Sequence, residues 1–219
     1  TVSVHQCVSG PMRDFMVAMS ADYQVKSDSS EGTTINSYFV QEDEEAGVQA
    51  LQTARKAMEV FSRRFGPYHF TELDLLETPT TAGGIEYPGL IVVASRAYAR
   101  SGAQEGTTAH EMAHQWWYSL VGNDQVRDPW LDEALAQFSM CLYYRDTYGQ
   151  VGLDRCVEQA LRPRYEQVQG TDQDRRADLP VAEYSPSEYG TFVYGKAALF
   201  FNAIYQEIGD EKFNQLLQD

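Results

Sequence analysis

The chain has 219 residues, 43% of them hydrophobic and 12% aromatic, enough to bury a substantial core and to exclude a disordered chain. Its 32 acidic against 17 basic residues give a formal charge of −15, a surface that repels nucleic acid and anionic lipid and sets both aside as partners. No apolar run approaches the roughly 18–20 residues of a membrane span, so no transmembrane segment is expected, and Cys7, Cys141 and Cys156 are too scattered for a disulfide framework.

Residues 12–26 and 33–40 are β-branched and aromatic on either side of Ser/Gly-rich punctuation at Ser27–Gly32, which predicts two strands joined by a turn. From Glu42 the periodicity changes. Val48, Leu51, Ala54, Met58 and Phe61 recur at steps of three or four, predicting a helix that Gly66-Pro67 ends. Leu73–Glu77 and Leu90–Ser95 predict two more strands, bracketing a Gly/Pro-rich stretch over 78–89. A helix is expected to start near Gly102–Thr108 and to run to about Val121, where Gly122-Asn123 stops it. Asp128 as N-cap and Pro129 in the first turn open the next one, which ends near Tyr148-Gly149. Helices at about 152–168 and 187–208 follow, separated by a polar loop, with an incipient helix at 211–218.

Strands first and helices afterwards, with a boundary near residue 43, describe a minor β-rich piece ahead of an α+β body dominated by helices. With neither an initiator Met nor a charged-then-apolar leader, the sequence reads as a mature form or an excised piece. Cys141 and Cys156 fall on or near successive predicted helices and could pair, but buried free thiols are the expected state.

The most informative stretch is Thr107–Trp117, which sets His110 and His114 four residues apart with Glu111 directly after the first. On a helix, positions i and i+4 share one face, so both imidazoles can reach a single ion, and this spacing suits zinc. Glu111 falls about 100° further round, near the ion but not on it, where a base should stand. A third ligand is needed, and Glu133 follows His114 after 18 residues that include a compact reversal at Gly122-Asn123-Asp124. A second helix packed antiparallel to the first would bring its carboxylate back to the ion. Read alone, Glu133 is more readily a solvated helix carboxylate. Two histidines and one carboxylate leave a fourth position open, the pattern of a catalytic rather than a structural zinc. Asp128 is a candidate to orient a metal-bound histidine, with an N-cap role as the alternative, and Trp116 and Trp117 are expected to pack the helix into the core.

His110–Trp117 followed by Glu133 within Trp130–Phe138 resembles the aminopeptidase N-like gluzincin metallopeptidases, relatives of thermolysin. The likeness continues upstream at Ala82–Leu90, which matches the position of that family's G-x-M-E-N segment, and downstream at Tyr194–Ala197, which looks like its Y-x-K-G. Phe65–Tyr68 also falls where the family has a Gly/Pro/Tyr turn. The match runs in order over roughly residues 12–219, with Ile85, Tyr87, Asp132 and Ala197 departing from the family's pattern.

The resemblance implies a thermolysin-like α+β catalytic domain over 44–219, preceded over 1–43 by the end of an N-terminal β domain, with a C-terminal helical domain absent. It implies one Zn²⁺ held by His110, His114 and Glu133, with Glu111 as the base and Tyr194 as hydrogen-bond donor to the oxyanion. It implies further that Glu86 binds the free α-amine of a peptide substrate while the backbone of Gly83 and Gly84 lies against the peptide, glycine permitting that approach. A glycine turn between strands is the plainer reading of the same segment. The expected function is a zinc aminopeptidase acting on peptides with a free N-terminus. A thermolysin-type endopeptidase and a non-catalytic scaffold of the same fold are the alternatives.

Overall fold

Alternation along the strands decides which face of the sheet is covered. In the computed structural model, which describes residues 10–99 and 103–219, Ile35 and Phe39, Leu73 and Leu75, and Ile91 and Val93 are fully buried. They share a core with Ala54, Ala57, Met58 and Phe61, the apolar stripe of the first long helix. Close packing there requires a glycine: a Cβ on Gly47 would fall inside the Phe39 ring, 2.9 Å from Cε1.

The sheet has five strands in the order β1-β2-β3-β5-β4. They are β1 Tyr23–Ser30, β2 Thr33–Val40, β3 Glu72–Thr78, β4 Gly84–Tyr87 and β5 Leu90–Ala94. Strands β2, β3 and β5 are parallel, and β1 and β4 pair antiparallel at the two edges. The helices are α1 Glu44–Phe65, the single turn α2 Ser95–Tyr98, α3 Ala103–Ala113, α4 Pro129–Tyr148, α5 Gln150–Cys156, α6 Arg162–Tyr165, α7 Pro186–Thr191, α8 Ala198–Ile208 and α9 Asp210–Gln218. Wide π turns join α5 to α6 over Val157–Leu161 and α7 to α8 over Phe192–Ala197. A small mixed sheet with mostly helical content makes the chain α+β, as expected.

Several elements differ from the sequence-based expectation. The first strand is not 12–26 but Tyr23–Ser30, and Ser27–Ser30, read as punctuation, lie inside it, Ser27 opposite Asn36. It is a polar edge strand whose pairing comes from β2, and the reversal is confined to Glu31 and Gly32, with φ of 51° and 81°. Strand β4 lies within the Gly/Pro-rich stretch and was not anticipated. The helix expected to reach Val121 ends at Ala113. Pro129 opens α4 as expected, but Asp128 makes no side-chain cap. The sheet also runs across the boundary placed at residue 43, since β2, which carries β1 on its other edge, pairs directly with β3. Cys7 and Gly102 lie outside the described residues.

The expectation of free thiols is corrected as well. Cys141 of α4 and Cys156 of α5 form a disulfide, their Cα atoms 5.3 Å apart. The two helices fold back on each other at Gly149, which has a φ of 74°, and the cysteines stand at nearly equal distances either side of that turn. A bond closing a loop of 15 residues contributes about 3 kcal/mol. Cys156→Ser is therefore expected to lower the melting temperature by about 6–12 °C, with no further loss on adding reductant. An unchanged melting temperature would show the bond to be absent or without consequence.

Arg64, almost fully buried near the end of α1, ties three helices together. It donates to Asp146 of α4 (Nε to Oδ2, 2.9 Å) and to Asp210 and Asn214 of α9 (2.9 and 2.7 Å). Burial works against the Asp146 charge, but the Arg64 guanidinium outweighs it and holds that carboxyl below its usual range.

Candidate metal and catalytic site

The end of α3 is where the chain stops being helical and turns sharply. The amides of Trp117 and Ser119 donate to the carbonyls of Ala113 and His114, both at 3.0 Å, and Tyr118 takes a φ of 125°. This turn sets the His114 Nδ1 2.9 Å from the Trp117 carbonyl. A ring nitrogen facing a carbonyl carries the proton, so Nε2 is the nitrogen left to bind an ion. The backbone therefore orients His114, and Asp128, one candidate for that part, does not. Trp117, the residue that supplies the carbonyl, donates from Nε1 to Ser139 Oγ of α4 at 3.0 Å, and Trp116 donates to the Gly66 carbonyl at 2.9 Å.

Helix α4 brings Glu133 back against this turn. His110 Nε2 lies 3.2 Å from His114 Nε2 and 3.3 Å from Glu133 Oε2, and His114 Nε2 lies 3.4 Å from the same oxygen. Ligand atoms about 2.0–2.1 Å from a tetrahedral ion stand about 3.3–3.4 Å from one another, so this triangle fits one face of such a coordination sphere. The fourth corner is free for water or substrate. Donor chemistry and geometry both suit a divalent ion of the zinc type.

The electrostatics ask for positive charge at the same spot. Burial lowers the pKa of His114, yet Glu133, Glu86 and Glu111 together push it up to about 10. Burial would raise the Glu133 carboxyl, but hydrogen bonding to His110 and His114 holds it well below its usual range. His110, also buried, is lowered because burial and the neighbouring His114 outweigh Glu133. A divalent cation satisfies the same demand as the proton on His114, with both imidazoles neutral.

Glu111 is buried beside the triangle, and among the described residues its Oε2 has no hydrogen-bond partner. Burial raises its pKa well above the ordinary value, with Glu86 and Glu133 adding to the rise against His114. Gly84 of β4 makes room for it: a Cβ there would occupy the Glu111 carboxylate, 2.6 Å from Cγ. The carbonyl of Gly83 accepts from the Ala94 amide at 3.0 Å, fastening the same segment to β5.

Glu86 of β4 is held from the other side. Gln125, in the loop before α4, donates from one Nε2 to Glu86 Oε1 and Asp132 Oδ2, both at 2.7 Å, while Asn123 donates to Asp132 Oδ1 at 3.2 Å. Gln115 clamps β4 itself: its Oε1 accepts from the Gly89 amide at 2.9 Å and its Nε2 donates to the Tyr87 carbonyl at 3.1 Å. Sequence reasoning missed both glutamines. Gln115 sits inside the quoted motif, so its position was visible while its role was not.

Tyr194 lies on the wide turn Phe192–Ala197, its ring 5.8 Å from that of His110. Such turns re-aim side chains within a helix and recur at functional sites. Burial and the adjacent Glu133 carboxylate raise its pKa far above the ordinary value, so the hydroxyl keeps its proton and can donate. Gly195 lets α6 approach closely, since a Cβ there would stand 2.8 Å from the Arg164 Cβ. His110, His114, Glu133, Glu111, Glu86, Gly83, Gly84 and Tyr194 thus line a single cleft of about 1310 Å³.

Comparison with known proteins points to one family. A family model described as Peptidase family M1 domain matches residues 49–219. Endoplasmic reticulum aminopeptidase 2 of Homo sapiens is 26% identical over 205 residues, covering 85% of this chain and 21% of the relative. Probable aminopeptidase 1 of Saccharolobus solfataricus is 23% identical over 217 residues, covering 93% of this chain and 28% of the relative. Tricorn protease-interacting factor F2 of Thermoplasma acidophilum is 39% identical over 98 residues, covering 40% of this chain and 12% of the relative. The chain therefore spans between a fifth and three tenths of the length of the first two relatives.

Proposed function

The chain belongs to peptidase family M1, which its match over residues 49–219 shows, and from that membership and the site geometry we propose that it carries the catalytic centre of a zinc aminopeptidase with a thermolysin-like architecture. The observation that carries this reading is the triangle of His110, His114 and Glu133 with the buried, unpartnered Glu111 oxygen beside it. The names of the relatives, aminopeptidases from human to archaeal sources, support the exopeptidase class.

Held by His110, His114 and Glu133, zinc would bring the pKa of water towards about 7 and polarise the carbonyl under attack. The residues supply the rest. Glu111 takes the proton from the attacking water and returns it to the leaving amine, a two-way role suited to a carboxyl whose pKa burial has raised. The Tyr194 hydroxyl donates to the oxygen that gains charge as the carbonyl becomes tetrahedral, a contact of a type worth about 10²–10³ in turnover. Glu86, held by Gln125, receives the substrate's α-ammonium and so sets the register of cleavage one residue from the N-terminus.

Two measurements test this on the full-length protein. Metal analysis after purification without added zinc is expected to give about one zinc per chain, and no uptake on titration would refute the ligand assignment. Acetylating a peptide's N-terminus removes the charge that Glu86 meets, and cleavage efficiency is expected to fall by about 10- to 100-fold. Equal cleavage of free and acetylated peptides would instead indicate an endopeptidase.

A further inference from the structure

The cleft extends past the ligand triangle. The segment from α5 to α6 forms part of its wall and contributes Arg155, Gln159 and Arg164. Nine residues of regular helix, at about 100° each, would put the two arginines on opposite faces. The wide turn over Val157–Leu161 winds fewer degrees per residue, and both arginines line the cleft.

Both side chains lack a carboxylate partner among the described residues. Arg164 donates from Nε to the Ala160 carbonyl at 2.9 Å, and its guanidinium lies 5.6 Å from the centre of the Tyr194 ring. The carboxylates of the same segment are engaged elsewhere, Glu158 and Glu166 both with Arg162 at 2.8 and 3.8 Å. Glu105, the remaining carboxylate of this end of the cleft, accepts the hydroxyls of Tyr143 and Tyr148 at 3.0 and 2.6 Å. Two exposed guanidiniums in one cleft, neither paired with a carboxylate among the described residues, are available to an anionic group of a bound molecule.

The two ends of the cleft have opposite charge. Glu86 groups with His114 and Asp132, whereas Arg164 stands over Tyr194, which stands beside His110. A substrate whose ammonium meets Glu86 and whose first peptide bond lies at the triangle sends its leaving portion towards the arginines. An extended chain advances about 3.3–3.6 Å per residue, so the terminus of a di- or tripeptide falls within an arginine side chain's reach of Tyr194. Resting on the aminopeptidase reading above, we infer that Arg155 and Arg164 form an anion-binding subsite that holds the C-terminal carboxylate of di- and tripeptide substrates. A planar guanidinium matches a carboxylate with two parallel hydrogen bonds, which gives both affinity and a length limit.

The test compares trialanine, trialanine amide and alanine anilide as substrates of the full-length protein. The free acid is expected to be cleaved about 10- to 100-fold more efficiently than the amide, the difference lying in KM. In Arg155→Ala and in an Arg155→Ala/Arg164→Gln double variant, the acid-to-amide ratio is expected to approach one. Hydrolysis of the anilide with equal cleavage of acid and amide by the wild type would overturn the subsite and leave the aminopeptidase reading standing. A ratio that survives the double variant would overturn the subsite too. Failure to turn over all three compounds would overturn the aminopeptidase reading itself.

Discussion

Glu111→Gln is expected to retain about one zinc per chain while kcat falls by about 10²–10⁴-fold. Glutamine keeps the shape and the hydrogen-bonding reach of the side chain but cannot accept a proton. The ligand atoms belong to His110, His114 and Glu133, so metal content is expected to be unchanged. The charge of the carboxylate also sets the direction of the pH dependence. Only ionised Glu111 can act as base, and burial raises its pKa well above the ordinary glutamate value. Activity is therefore lost as pH falls, starting at higher pH than an exposed glutamate would dictate, with a bound cation offsetting part of the rise. Paired measurements of zinc content and of the pH–kcat profile check this. Turnover within threefold of the wild type in the glutamine variant would remove Glu111 from the chemistry.

Glu133→Ala is expected to do the reverse and abolish stoichiometric metal. Of the ligand triangle, only this side chain brings a negative charge, and it stands 3.3 and 3.4 Å from the two imidazole nitrogens. Its hydrogen bond and charge are the foremost influences raising His114, so the alanine variant leaves two buried imidazoles with far less preference for a cation. A ligand bound only by the folded state stabilises it by about 4 kcal/mol when present at 1,000 times its Kd. Chelator is thus expected to lower the melting temperature of the wild type and to leave that of Glu133→Ala where it already is. An alanine variant purified with one zinc per chain would show that the ion is held by other groups. Candidates would be Glu86, His114 and Asp132, whose ligand atoms also lie within 4.8 Å of one another.

Much of this site was legible because its spacing is local. His110 and His114 are one helical turn apart by covalent geometry, and the structure keeps them so even though α3 ends at Ala113, just before the second histidine. Glu133 was reachable by counting, since Gly122–Asp124 announces a reversal and Pro129 opens the returning helix. The Cys141–Cys156 bond was half legible. The place of the two cysteines on successive predicted helices allowed a pair, but only packing of α4 on α5 decided that they meet.

What remained hidden depends on groups brought from elsewhere in the chain. Strand β4 is short and glycine-bounded, and it is a strand because β5 pairs with it and Gln115 holds its turn. Asp128 looked like the partner of a ligand histidine by proximity in sequence, yet the Trp117 carbonyl takes that place because the chain turns sharply after Ala113. Gln125 joins Glu86 to Asp132 from a loop that carries no motif. The sequence by itself determined the kind of fold and the metal-binding residue types, because helical spacing and apolar alternation are properties of neighbouring residues. Tertiary structure alone decided the tautomer of His114, the rise in the Glu111 pKa and the cleft-facing arginines. A buried polar group is defined by its surroundings, and those surroundings come from distant parts of the chain.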